Sequence, residues 1–235
     1  MKSTTLGTSL LVAGTAIGAG MLALPLIAGL AGFSCALLIL IAIWALMTYT
    51  GLLILEVNLS LPVGKNSFSS MAKATSGQLS SIIASLCVML LLYSLTGAYI
   101  SGDTSLLALL FKMLFNVTLP SWFYSSLFTL IFGSIVFHST RMTDQTNRLF
   151  VLLKLLFLAV SMALLLPNIQ LSLLTSKPTN VHTLWLIAPI FLTSFGYHTI
   201  IPSLTNYLGK QPQSLKRSII IGTTLPLLTY VLWLF

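Results

Sequence analysis

The sequence predicts an all-α, polytopic membrane protein, and three observations predict it. Hydrophobic residues make up 57% of the 235 and charged residues only 6%, whereas a soluble domain carries roughly a quarter charged residues. Mean hydropathy is +1.02. A small protein cannot hide this much apolar sequence from water, so its solvent is lipid, which admits only structures that satisfy their own backbone. The charges also stand singly and far apart, leaving uncharged runs of spanning length. Finally, the basic residues segregate to one side once those runs are threaded through a bilayer.

A spanning helix needs about 20 apolar residues at 1.5 Å each. No charge occurs between Lys2 and Glu56, a stretch of roughly 80 Å as one helix and too long for one crossing. The chain is expected to turn at Gly29-Leu-Ala-Gly32, because glycine pairs punctuate helices. Span 1 then covers Leu6–Leu30 and span 2 Phe33–Leu55. Spans 3 to 7 follow near Leu79–Gly102, Trp122–His138, Phe150–Leu166, Leu184–Leu208 and Ser218–Phe235. The Ser-rich stretch Leu61–Gln78 reads as a loop with one short amphipathic turn. Leu106–Phe115, interrupted by Lys112, is too short to span and reads as a separate segment at the outer interface. Cys35 and Cys87 fall inside apolar runs and read as small packing residues.

With the N-terminus in the cytoplasm, nine basic residues (Lys2, Lys65, Lys73, Arg141, Arg148, Lys154, Lys210, Lys216 and Arg217) lie on or just inside the cytoplasmic side. Only Lys112 and Lys177 lie outside. This is the distribution the positive-inside rule requires. The net charge of +8 therefore orients spans. It is not a nucleic-acid footprint, since no dense basic patch exists. Three acids and three histidines scattered along the chain give little material for a catalytic or metal cluster, so an enzyme is disfavoured. A channel would call for repeated charge rings or a carbonyl filter, and neither pattern recurs.

Two spans carry interruptions. Span 1 contains GTAIGAGMLALP, from Gly14 to Pro25, and span 6 contains TSFGYHTIIP, from Thr193 to Pro202. In each, a small-residue cluster precedes a proline by six or seven residues. Glycine and proline weaken a helix interior, and paired Gly/Pro-interrupted spans point to a transporter's binding site. Gly14-xxx-Gly18 also fits close helix packing; the second interruption at a matching position favours the transporter. Unwinding frees backbone groups that lipid cannot satisfy. The helix N-terminus after a break suits a carboxylate, and the carbonyls before it suit an ammonium group. An amino acid offers both.

The two broken segments resemble the hydroxy/aromatic amino acid permeases, the family of the bacterial tyrosine and tryptophan permeases. PIFLTSFGYHTIIPSL in span 6, Tyr93-Ser-Leu-Thr-Gly-Ala-Tyr-Ile-Ser-Gly102 in span 3 and Glu56-Val-Asn-Leu in span 2 extend the resemblance over nearly the whole chain. It implies the amino acid–polyamine–organocation superfamily and its LeuT-type inverted-repeat fold, here truncated after about seven transmembrane helices. Residues 1–170 would form the first repeat and 171–235 the first two spans of the second. It further implies proton-coupled symport of tyrosine or tryptophan across a bacterial cytoplasmic (inner) membrane, with no cofactor. The substrate's backbone groups would be held at Ala16, Ile17, Gly18, Ala19 and Gly20 and at Ser194, Phe195, Gly196, Tyr197 and His198. The family has about eleven spans, so the alternative is an inactive fragment or remnant in which backbone groups at Gly18 and Gly196 lie poorly covered.

Ionisable residues within spans are candidate functional groups. Lys154 lies one turn into span 5; it either snorkels to the interface or serves proton coupling, as a lysine stands at a coupling site in some superfamily relatives. His198, beside the second break, is either a packed neutral histidine or a proton or substrate contact. Tyr93 lies nearer mid-membrane than Tyr99 and is the candidate hydroxyl for the substrate carboxylate, with aromatic packing as the alternative.

Overall fold

The computed structural model of the chain describes residues 5–18, 20–62, 64–138, 140–165, 167 and 181–234. Regular structure among them is helical: α1 (Thr5–Ala16), α2 (Gly20–Ala31), α3 (Phe33–Ser60), α4 (Phe68–Ser76), α5 (Gln78–Phe115), α6 (Ser121–His138), α7 (Thr140–Leu165), α8 (Val181–Ser194), α9 (Ile201–Leu208) and α10 (Pro212–Leu234), with a 3₁₀ turn at His198–Ile200. Among the described residues, five helical stretches are long and apolar enough to cross a bilayer: Phe33–Ser60, Gln78–Phe115, Ser121–His138, Ile187–Leu208 and Pro212–Leu234. Thr5–Ala16 and Leu152–Leu165 are shorter apolar helices. This is the architecture of a multi-pass membrane protein. Each expected span has its counterpart, span 1 as α1 and α2, span 6 as α8 and α9.

The helices form two compact units, residues 1–82 with 162–235, and residues 83–161. In the first, α1 packs on α10, α2 on α8 and α10, and α3 on α8, α9 and α10. The second half of span 1 thus meets the first half of span 6. A buried cluster of Val12, Ala16, Leu55, Tyr197, Ile201, Leu204, Leu215 and Ile219 ties these elements together. Glycine permits the closest approaches. A Cβ on Gly222 would lie 2.6 Å from Val12 Cβ and 2.8 Å from the Ser9 carbonyl oxygen, so α10 rests directly on the α1 backbone. Thr8 and Ser218 hydroxyls bond at 2.6 Å across the same contact.

At one end of this unit, α3, α9 and the segment before α4 meet in a buried amide cluster. Asn58 Nδ2 donates to the Asn66 carbonyl at 2.8 Å, and Asn66 Nδ2 donates to Asn58 Oδ1 at 3.0 Å and Thr205 Oγ1 at 2.6 Å. Asn58, Asn66 and Thr205 are all buried, and their mutual bonding offsets the desolvation.

In the second unit, α5 and α6 join through residues 116–120, where Asn116 has φ 55°. Tyr124, 1% exposed, accepts the Leu119 N–H on its hydroxyl at 2.9 Å and packs edge-on against Phe111 at 5.4 Å.

Two sequence expectations are corrected and two are sharpened. Span 3 does not stop at Gly102. The α5 helix runs 38 residues to Phe115, because Gly102 alone is no breaker and a helix in lipid keeps its own backbone bonded. The Leu106–Phe115 stretch is thus a continuation, not a separate interfacial segment. At about 57 Å the helix exceeds a hydrocarbon core of about 30 Å. The turn expected over Gly29–Gly32 takes one residue, Gly32 at φ 76°, and α2 runs through Gly29. The single amphipathic turn expected in Leu61–Gln78 is the nine-residue α4, capped by Ser67 and ended by Gly77 at φ 87°. Cys87 is exposed rather than packed, and Cys35 is half-buried.

Candidate functional site

Both interruptions are real breaks. The α1 helix ends at Ala16 and α2 begins at Gly20; α8 ends at Ser194, and a non-helical Phe195–Tyr197 leads into the 3₁₀ turn. A helix end leaves carbonyls without intrahelical partners. The structure satisfies two of them with one group: the Tyr230 hydroxyl lies 2.8 Å from the Ala16 carbonyl oxygen and 3.0 Å from that of Ser194. Tyr230 is on α10 and 0% exposed. The C-terminal ends of two half-helices therefore converge on a single buried hydroxyl. Each end carries partial negative charge from its helix dipole, so the point where they meet has the electrostatics of a cation or ammonium site.

Other backbone groups at the breaks bond locally. The Met21 N–H reaches the Gly18 carbonyl at 3.2 Å, the Gly196 N–H the Thr193 carbonyl at 3.1 Å, and the Tyr197 N–H the Phe195 carbonyl at 2.9 Å. The expectation that groups at Gly18 and Gly196 lie poorly covered is thus corrected for these two bonds: short-range turns cover what the lost helix exposed. Pro25 adds a further free acceptor, since proline lacks the N–H that would bond the carbonyl four residues back. That carbonyl belongs to Met21, and Trp233 Nε1–H donates to it at 3.0 Å.

The side chains around the second break are fastened outward to α3. Tyr197, 0% exposed, donates its hydroxyl to the Met47 carbonyl at 3.0 Å. Its ring lies in a notch left by Gly51, whose Cβ, were there one, would fall 2.7 Å from Tyr197 Cζ. The Tyr197 and His198 rings stack at 4.6 Å, and His198 Nε2 lies 2.9 Å from Thr50 Oγ1. The Thr50 hydroxyl also lies within bonding distance of the Leu46 and Met47 carbonyls, so His198 and Thr50 share one polar contact on α3. Phe195 is buried edge-to-face on Tyr230, with ring centroids 5.4 Å apart.

A family model described as the tryptophan/tyrosine permease family matches residues 1–235. The chain belongs to this family. It is 37% identical over 233 residues to "Tyrosine-specific transport system 2" of Haemophilus influenzae, covering 99% of this chain and 57% of the relative. It is 38% identical over 232 residues to "Tryptophan-specific transport protein" of Pseudomonas aeruginosa, covering 97% and 55%. It is 32% identical over 234 residues to "Glutamine transporter 2" of Aliivibrio fischeri, covering 97% and 59%. The chain thus spans somewhat over half the length of these curated relatives. No solved structure matches it.

In this tryptophan/tyrosine permease family chain, the structure brings Ala16 and Ser194 together through Tyr230, with Ile17 and Phe195 buried beside them. Gly18 is half-buried, Gly196 is exposed, and Gly20 opens α2. Ala19 lies outside the described residues. Tyr93 and Lys154 belong to the second unit, where Tyr93 is exposed and Lys154 half-buried. Gly14 faces open space within 4 Å of a would-be Cβ, so the close-packing reading of Gly14-xxx-Gly18 finds no contact there. The close-approach glycines are Gly51 and Gly222. Sequence reading missed these and, above all, Tyr230 and Trp233. The one available signal was that aromatic residues with polar handles, three apart near the end of span 7, need partners in lipid.

Proposed function

We propose that the chain is the substrate-binding portion of a proton-coupled symporter for an aromatic amino acid, tyrosine or tryptophan, in a bacterial inner membrane. The N-terminus is cytoplasmic. The fold is of the LeuT type, with residues 1–170 as the first inverted repeat and 171–235 opening the second. The observation that carries this reading is the convergence of the Ala16 and Ser194 carbonyls on one buried point. Two helix C-termini favour a substrate ammonium group, and the α2 N-terminus at Gly20 favours its carboxylate. Tyrosine, tryptophan and glutamine share those groups, so relatives named for all three fit one backbone-capture site. Aromatic selectivity is then a matter of side-chain contacts, and Tyr93 is the candidate hydroxyl for the carboxylate. Coupling falls to His198 or Lys154.

Competition uptake tests the reading. Tyrosine and tryptophan are expected to displace one another and leucine to fail; leucine winning refutes the substrate class. Uptake is expected to collapse with the proton gradient; uptake that persists but requires sodium refutes the coupling. Uptake still responsive to pH in Lys154→Ala/His198→Ala clears both residues.

A further inference from the structure

We propose that Tyr230 is a positioning residue whose hydroxyl holds the Ala16 and Ser194 carbonyls at the spacing an ammonium group requires. This rests on reading those carbonyls as the ammonium subsite. Both bonds form at one oxygen, so the two carbonyl oxygens lie within about two hydrogen-bond lengths of each other. An ammonium nitrogen donating to both would span the same gap. Two helix C-termini do not sit this close unaided, because their partial charges are alike. The shared hydroxyl proton bridges them.

One proton serves two acceptors in this arrangement, whereas an ammonium group brings three. Each carbonyl keeps a second lone pair. The amine therefore adds to the arrangement rather than evicting Tyr230. The hydroxyl's position is set by packing independent of any ligand. Its ring lies edge-on against Phe195 at 5.4 Å and 74°, and α10 is seated on α1 through Gly222 and the Thr8–Ser218 bond. Trp233, three residues on, bonds the Met21 carbonyl instead. It supports α2 and forms neither of the two bonds to the break carbonyls, which makes it the internal control.

The experiment is equilibrium binding to the full chain in lipid nanodiscs. Tyrosine and tryptophan are each compared with the matching acid that lacks the amino group, 3-(4-hydroxyphenyl)propionate and indole-3-propionate. The unaltered chain is expected to prefer the amino acids. Tyr230→Phe is expected to lower amino acid affinity about tenfold, as loss of one hydrogen bond worth about 1.4 kcal/mol would, and to leave the amine-free acids unchanged. Trp233→Phe is expected to move both ligand types together and preserve their ratio. If Tyr230→Phe keeps the full preference, or loses both ligand types equally, the positioning role is overturned while the ammonium subsite stands. A Trp233→Phe variant that erases the preference as strongly also overturns it. Equal binding of amino acid and amine-free acid by the unaltered chain, or no saturable binding, overturns the subsite and this proposal with it.

Discussion

Replacing Gly51 by alanine tests whether the second break is held open by its anchorage to α3. The added methyl would fall on the Tyr197 hydroxyl, 2.7 Å from Cζ and 3.1 Å from Cε2, well inside van der Waals contact. The ring is 0% exposed, so it cannot swing into solvent. Overpacking of this kind costs about 1–3 kcal/mol. Moving the ring also breaks the Tyr197–Met47 bond, worth about 0.5–1.5 kcal/mol. The expected loss is about 2–4 kcal/mol, read as a lower denaturation midpoint of the detergent-solubilised chain. A double-mutant cycle sharpens the assignment. Tyr197→Leu alone destabilises, but it shortens the side chain that the added methyl would strike, so Gly51→Ala should cost less in its presence. Unaltered stability in Gly51→Ala, or strict additivity with Tyr197→Leu, would refute the notch argument.

Asn58→Ala removes partners from Asn66 and Thr205 in the buried amide cluster; at about 1–3 kcal/mol per stranded group, a loss of about 3 kcal/mol in the same assay is expected, and none would show that water already satisfies the cluster. Gly222→Leu should separate α10 from α1 and destabilise the chain more than Gly14→Leu, since Gly14 has open space where Gly222 meets Val12 and Ser9. Trp233→Phe strands the Met21 carbonyl; Pro25→Ala restores an N–H to it within α2, so the Trp233 change should cost less in that background, and equal cost in both would sever the link between Pro25 and Trp233.

The helices and both breaks were legible in the sequence because their causes are local. Uncharged runs of spanning length, bounded by lone charges, give the crossings. Gly18 and Gly196 with their downstream prolines give the interruptions. Boundaries failed where a local signal was overvalued. Gly102 looked like the end of a span, yet a single glycine in an apolar helix costs only about 1 kcal/mol relative to alanine. In lipid, keeping the backbone hydrogen-bonded outweighs that. Gly32 does end its helix, because it alone of the Gly29–Gly32 pair adopts φ 76°.

The groups that complete the site follow a different logic. A broken helix in lipid must find donors for its freed carbonyls, and nothing requires those donors to be near in sequence. Here they come from the far end of the chain: Tyr230 serves Ala16, 214 residues away, and Ser194, 36 away, while Trp233 serves Met21, 212 away. The sequence states the demand, in two breaks and a mid-helix proline, without stating the supplier. That Tyr230 supplies both breaks has a physical consequence. A change at either carbonyl alters the hydrogen bonding of the other through one shared proton, so the two half-helix ends form a single electrostatic unit seated on α10. A ligand with a multiply donating ammonium group can engage both at once, which is why the geometry favours an amine over a singly donating alcohol.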